Sequence, residues 1–137
     1  MLVFAFSACK KEVKHEDVMS STLTLKLISP ADGATLHAEN PAQFNWFSSS
    51  TNNAVRIIHK IKIVEIIGDQ SPEKALKSNT PFFEKEGLID LNIFLPYDGR
   101  KTALVPGKKY SWSITAAQKD LTSTGGESEV STFTVAQ

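Results

Sequence analysis

Hydrophobic and polar residues alternate along most of this chain with a period of two, the repeat that sends successive side chains to opposite faces of a β-strand. In TLTLKLISP, Leu23, Leu25 and Leu27 share one face while Thr22, Thr24 and Lys26 take the other, which predicts a half-buried strand. It stops at Ser29-Pro30-Ala31-Asp32-Gly33, where Pro fixes φ and Gly admits positive φ, the chemistry of a turn. QFNWF predicts a second strand, and a third, rich in β-branched residues, runs from about Val55 to Ile67. Within it Ile57, His59, Ile61 and Ile63 face one way and Arg56, Ile58, Lys60 and Lys62 the other. From Val64 onward both faces are apolar, so a bulge or a covered second face is expected there.

The middle of the chain is less regular. In SPEKALKSN, Ser71 is placed to cap a helix and Pro72 to occupy its first position, predicting one or two helical turns near residues 71–79. Phe82 and Phe83 are expected to fasten this connection onto the body of the domain, and LIDLNIFLP supplies a further strand around Leu91 to Leu95. The clearest alternation is in KYSWSITAA, with Tyr110, Trp112, Ile114 and Ala116 on one side and Ser111, Ser113 and Thr115 on the other. Gly125-Gly126 is expected to form a turn into a last strand, EVSTFTV. About seven strands, turn signals between them and almost no helix predict an all-β, antiparallel β-sandwich.

Length and charge narrow the functional classes. The 137 residues fit one globular domain plus a short tail, and 15 basic residues balance 15 acidic ones. Such a chain has no long-range field to draw it to nucleic acid, which is therefore not an expected partner. Only one cysteine occurs, Cys9, which follows the short apolar run MLVFAFSA and precedes the charged Lys10, Lys11 and Glu12. Residues 10–22, KKEVKHEDVMSST, show no hydrophobic periodicity and read as a solvated linker. As a flexible coil it has an r.m.s. span of about 20 Å.

Two stretches resemble known families. Phe6-Ser7-Ala8-Cys9 resembles the lipobox of bacterial lipoproteins, in which small residues let a signal peptidase reach the backbone before a cysteine that receives lipid. Phe6 stands where that family usually has Leu, and no basic residues precede the apolar run, so residues 1–8 are read as a truncated lipoprotein signal segment. The resemblance implies Cys9 as the lipid-attachment residue, residues 9–21 as lipidated cysteine and linker, and a membrane contact made through the anchor. Leu104-Val105-Pro106-Gly107-Lys108-Lys109-Tyr110 resembles the tyrosine corner of fibronectin type III domains, in which Leu enters the core, Pro and Gly turn the chain, and the Tyr hydroxyl bonds back to the turn. Phe44-x-Trp46 resembles the buried tryptophan position of that family, and ESEVSTFTV its closing strand. The implied fold over residues 22–137 is an immunoglobulin-like, fibronectin type III-like sandwich, with Trp46, Leu104, Pro106, Gly107, Tyr110 and Trp112 as structural residues.

Catalytic chemistry is not expected. His15, His37 and His59 lack metal-ligand spacing, and His59 reads as a hydrogen-bonded histidine on the inner face or rim. Neither a nucleophile elbow nor a phosphate-binding glycine loop occurs, and Glu84, Glu86, Asp90 and Glu65 read as solvated carboxylates. No catalytic residue, metal or cofactor is assigned. Candidates for partner contact are the apolar groups that inward packing leaves over: Phe82, Phe83, Tyr97, and the outward pair Val64 and Ile66. The expected function is a non-enzymatic, lipid-anchored protein of the cell envelope, at the outer membrane and facing the periplasm or the exterior, whose sandwich binds an envelope protein or a glycan. The alternative is a carbohydrate-binding accessory subunit of a glycan-processing or secretion system.

Overall fold

Leucines spaced two apart in β1 (Leu23–Ser29) need a facing layer to cover them, and the strands that follow build it. The computed structural model describes residues 22–37, 41–51, 56–96, 103–119 and 125–137, with only the backbone of Lys119; Cys9, the linker and Tyr97 lie outside the described residues. After β1 come β2 (Ala34–Leu36), β3 (Ala42–Ser50), β4 (Arg56–Glu65), α1 (Pro72–Ser78), β5 (Pro81–Leu88), β6 (Asn92–Leu95), β7 (Lys109–Lys119), β8 (Gly126–Glu127) and β9 (Ser131–Val135).

They form two sheets. The smaller has the order β1-β3-β6, all antiparallel, with Leu27 opposite Trp46 and Phe44 opposite Ile93. The larger has the order β2-β9-β7-β4-β5, with β8 beside β7. Its backbone is the β4–β7 ladder, which runs from Arg56 opposite Lys119 to Glu65 opposite Tyr110. One pair departs from the antiparallel expectation: β2 runs parallel to β9, with Ala34 opposite Phe133. The turn after β1 carries the chain from the smaller sheet to the larger one, where it meets the last strand travelling the same way. That turn is held by the N–H of Gly33, which has φ +85° and donates to Thr132 O at 2.7 Å, and by Asp32 Oδ1, which accepts from Thr132 N–H at 2.8 Å.

The gap between the sheets is filled by rings. Phe44 and Trp112 meet edge to face at 5.1 Å, Phe44 lies 5.6 Å from Phe133, and Tyr110 stacks on Phe133 at 5.3 Å. These four and Trp46 are buried, so the inward parity expected of Trp46, Tyr110 and Trp112 holds. The corner predicted from the L-x-P-G-x-x-Y spacing is also formed. Val105 N–H donates to Tyr110 Oη at 3.0 Å, Leu104 joins the core, and Gly107 turns at φ +85° while its N–H donates to Val135 O at 2.8 Å. Burial pushes the Tyr110 hydroxyl above its ordinary pKa.

Two local expectations are corrected. Gly125-Gly126 is not the tip of a turn, because Gly126 already belongs to β8 and pairs with Ala116. What Gly125 provides is closeness: a Cβ there would collide with the backbone of Ala116 and Ala117. The connection after β4 is not irregular throughout: it leads into a strand, β5, from which Phe82 and Phe83 pack against the main core as expected. Its helix matches expectation, with Ser71 Oγ accepting from Lys74 N–H at 3.1 Å and Pro72 at the first turn. Further fastening comes from Ala75 and Leu76, which bury themselves with Val64, and from Asn79, whose side chain donates to Glu65 O at 2.8 Å and exchanges amide hydrogen bonds with Gln70.

Replacing Tyr110 by Phe strands the Val105 N–H in a partly buried site and is expected to lower stability by about 1–3 kcal/mol. Trp112→Ala, which empties a larger volume at the centre of the ring cluster, is expected to cost about 3–5 kcal/mol. Urea unfolding followed by tryptophan fluorescence measures the first, and circular dichroism the second.

Candidate functional site

The outward face of the larger sheet is set by what the inward face requires. With Tyr110, Trp112 and Ile114 turned to the core, Ser111, Ser113 and Thr115 of β7 must point away from it. On β4 the same rule turns Lys60, Lys62 and Val64 outward beside them, and the register pairs Val64 with Ser111, Lys62 with Ser113 and Lys60 with Thr115. The helix α1 then covers one end of this face. Ser111 Oγ donates to Pro72 O at 3.2 Å, and Leu76 and Ala75 close over Val64.

This corrects the candidate list. Val64 is fully buried and Ile66 is half-buried against the same small cluster, so the outward apolar pair serves to dock α1, and Val64 offers no free contact surface. The parity assigned to Val64 is right, and the covered second face expected there is the helix. Phe82 and Phe83 are each half-buried, and the Phe82 ring lies 5.2 Å from that of Tyr110, which commits much of their surface to the core. Tyr97 and Cys9 fall outside the described residues.

Beyond the helix the face stays open as a trough of about 470 Å³. Its floor carries Lys60, Lys62, Ser113 and Thr115, and its rims carry Leu76 and Lys77 of α1 on one side and Glu127 and Val130 on another. Glu84 of β5 closes a third side and holds Lys60 in an ion pair at 3.0 Å. Lys62 makes no ion pair or hydrogen bond among the described residues. A second recess of about 620 Å³ lies at the turn from β5 to β6, where Ile89 and Phe94 are 62% and 49% exposed.

Between the sheets sits a polar link. His59 Nδ1 is 2.9 Å from Leu88 O and His59 Nε2 is 2.8 Å from Ser48 Oγ. A carbonyl only accepts, so Nδ1 carries the proton and donates to Leu88, and Nε2 accepts from the Ser48 hydroxyl. The ring, which also packs 5.6 Å from that of Trp46, thereby ties β3 of one sheet to the end of β5 in the other. A Ser–His hydrogen bond is the geometry of an activated nucleophile, but His59 is 2% exposed and is walled in by this packing. Burial pushes its pKa below the ordinary imidazole value, against an opposing upward pull from the bond to Leu88. Among the described residues, no three His, Cys, Asp or Glu side chains converge to hold a metal ion, and no helix is long and apolar enough to cross a membrane.

The architecture has a counterpart among solved structures. Fibronectin(III)-like modules of CbhA from Clostridium thermocellum align with this chain at a TM-score of 0.50 and 15% identity, over 82% of this chain and 96% of that one. At that identity the likeness defines the fold, a fibronectin type III-like β-sandwich, and nothing further. No protein-family profile matches the chain, and no curated protein sequence matches it.

The trough is the feature that reading the sequence missed. The outward parity of Lys60 and Lys62 and of Ser113 and Thr115 is legible in two separate segments, but the register that sets them side by side is a tertiary fact.

The His59 link makes stability depend on pH. Its folded-state pKa lies below the unfolded value, so the folded protein binds the proton less tightly than the unfolded chain does. The contribution is complete above about pH 6.5 and is lost as pH falls below that value toward the folded pKa. At the alkaline end, the raised Tyr110 pKa gives a contribution present below about pH 10 and lost as pH rises past it. Urea midpoints measured from pH 8 to pH 5 are expected to fall for the wild type, and to fall less for His59→Asn, whose amide keeps a donor toward Leu88.

Proposed function

We propose that this protein is a non-enzymatic, lipid-anchored protein of the cell envelope, whose sandwich domain presents a binding surface to an envelope protein or a glycan. The observation that carries the binding reading is the division of polar groups in the domain. His59, Ser48, Tyr110 and Asn79 are consumed by internal hydrogen bonds, whereas Lys62, Ser113 and Thr115 stand together in an open trough with no internal partner that fixes them. A sandwich that holds such groups on the face of a continuous ladder suits recognition, because the backbone beneath them is already fixed before a ligand arrives.

The anchor rests on the lipobox-like Phe6-Ser7-Ala8-Cys9. One acyl chain holds a protein only marginally, and the two or three implied by the lipoprotein resemblance hold it firmly. We read attachment through Cys9 as holding the protein at the outer membrane, facing the periplasm or the exterior. The balanced charge gives nucleic acid no field to respond to.

A second reading, a carbohydrate-binding accessory subunit of a glycan-processing or secretion system, is favoured by the lining of the trough, where hydroxyls, ammonium groups and carboxylates alternate as they do around bound polyols.

A metabolic fatty-acid label tests the anchor in a host that has the lipoprotein pathway. The wild type is expected to incorporate it and Cys9→Ser to remain unlabelled and soluble; an unlabelled wild type overturns the anchor.

A further inference from the structure

We propose that the trough beside α1 is a subsite for an acidic saccharide, in which Lys62 receives the carboxylate of a uronate residue and Ser113, Thr115 and Glu127 share its hydroxyls. This rests on the reading of the domain as a binding module and names the ligand class.

The floor is a two-by-two array fixed by the β4–β7 register. Lys62 stands opposite Ser113 and Lys60 opposite Thr115, about 5 Å apart across the strands and about 7 Å along them. Glu127 continues the Lys60–Thr115 row onto β8, where it pairs with Thr115, and Glu84 continues the Lys62–Ser113 row onto β5. The four floor side chains are not equivalent. Lys60 is satisfied by Glu84 at 3.0 Å, which leaves Glu84 engaged, and Lys62 sits half-buried with no anion of its own. A lysine ammonium without an ion pair of its own is a receptor for a ligand carboxylate, since that contact is a charge-assisted hydrogen bond.

Two further features select a saccharide over an acidic peptide. An extended peptide gains its affinity by adding to a free sheet edge, and the trough lies over β4 and β7, each of which is paired along both sides. The backbone there has nothing left to offer a strand. With the Lys60–Glu84 pair set aside, the lining offers two ammonium groups, Lys62 and Lys77, two carboxylates, Glu73 and Glu127, and the hydroxyls of Ser113 and Thr115, a set that suits a polyol carrying an acid. Neutral sugars are held largely by stacking on flat rings, and the apolar part of this lining is only Leu76 and Val130. The ionic contact therefore has to supply the affinity, and the volume of about 470 Å³ suits a short oligosaccharide.

Calorimetric titration of the full chain with tetragalacturonate, its methyl ester and a tetraglutamate peptide tests this at low ionic strength. Tetragalacturonate is expected to bind, to weaken with added salt, and to lose at least about tenfold in affinity when its carboxylates are esterified, the loss expected of one charge-assisted contact. Lys62→Gln is expected to show a similar loss and Lys26→Gln, on the opposite sheet, none. Ser113→Ala, which removes a hydroxyl and no charge, reports on the same site with little risk to folding and is expected to weaken binding too. No binding of tetragalacturonate, equal binding of the ester, or full affinity in both trough variants overturns the proposal. So does tetraglutamate binding of equal strength with the same dependence on Lys62. The titration is independent of acylation, so loss of the fatty-acid label with binding intact overturns the anchor alone, and failed titration leaves the anchor and an envelope-protein partner standing.

Discussion

The rings of Phe44, Tyr110, Trp112 and Phe133 meet in the gap between two sheets, and each comes from a strand whose neighbouring residues are thereby forced outward. Sheets pack face to face at about 10 Å, a distance that large side chains fill and small ones do not. Once Trp112 and Tyr110 are fixed inward, the faces of Ser111, Ser113 and Thr115 are no longer free to vary, because a slip of one residue would expose both rings together. The hydrogen bond from Val105 N–H to Tyr110 Oη secures that register at the start of β7, and the β4–β7 ladder passes it on to Lys60 and Lys62. The outward array is thus a consequence of the core.

The helix decides how much of that array is left open. Val64 and Ser111 are the first outward pair of the ladder, and α1 sits over both, using an apolar contact for one and a hydrogen bond to Pro72 O for the other. A helix of seven residues is too short to be stable alone, so its position is set by the cap at Ser71, by Ala75 and Leu76 beneath it, and by Asn79 behind it. Lys62 and Ser113, one step further along, escape coverage and become the floor beside the helix.

How much of this was legible in the sequence depends on the kind of information each element needed. β1, β7 and the tyrosine corner announce themselves, since period-two alternation and the L-x-P-G-x-x-Y spacing are local and strong. The helix was legible for the same reason, through Ser71 and Pro72. β5 was not, because PFFEKEGL places two phenylalanines side by side and then three charges, and its register shifts against β4 between His59 and Ile61. An edge strand that is charged and bulged resists further pairing, and the features that protect it also erase the alternation. β2 has three residues and owes its existence to β9, a partner about a hundred positions away. Val64 was correctly read as outward, but whether an outward valine meets solvent or a helix is decided by the chain that follows it. The trough needed two segments and their register at once, which periodicity in either segment does not contain.

The placement of the chain's start bears on how an anchored domain would present the trough. Thr22, the first described residue, enters β1 at the outer strand of the smaller sheet, where its N–H and carbonyl bond to Thr51. The trough opens on the outer face of the other sheet, yet β1 reaches its edge: Leu23 lies against Gly126 of β8, and Leu27 N–H donates to Glu129 at 3.3 Å, beside the rim residues Glu127 and Val130. The two sheets therefore close on each other along this seam: β1 belongs to the smaller sheet and the β4–β7 array to the larger, and β8, which pairs with β7, is where they meet beside the trough.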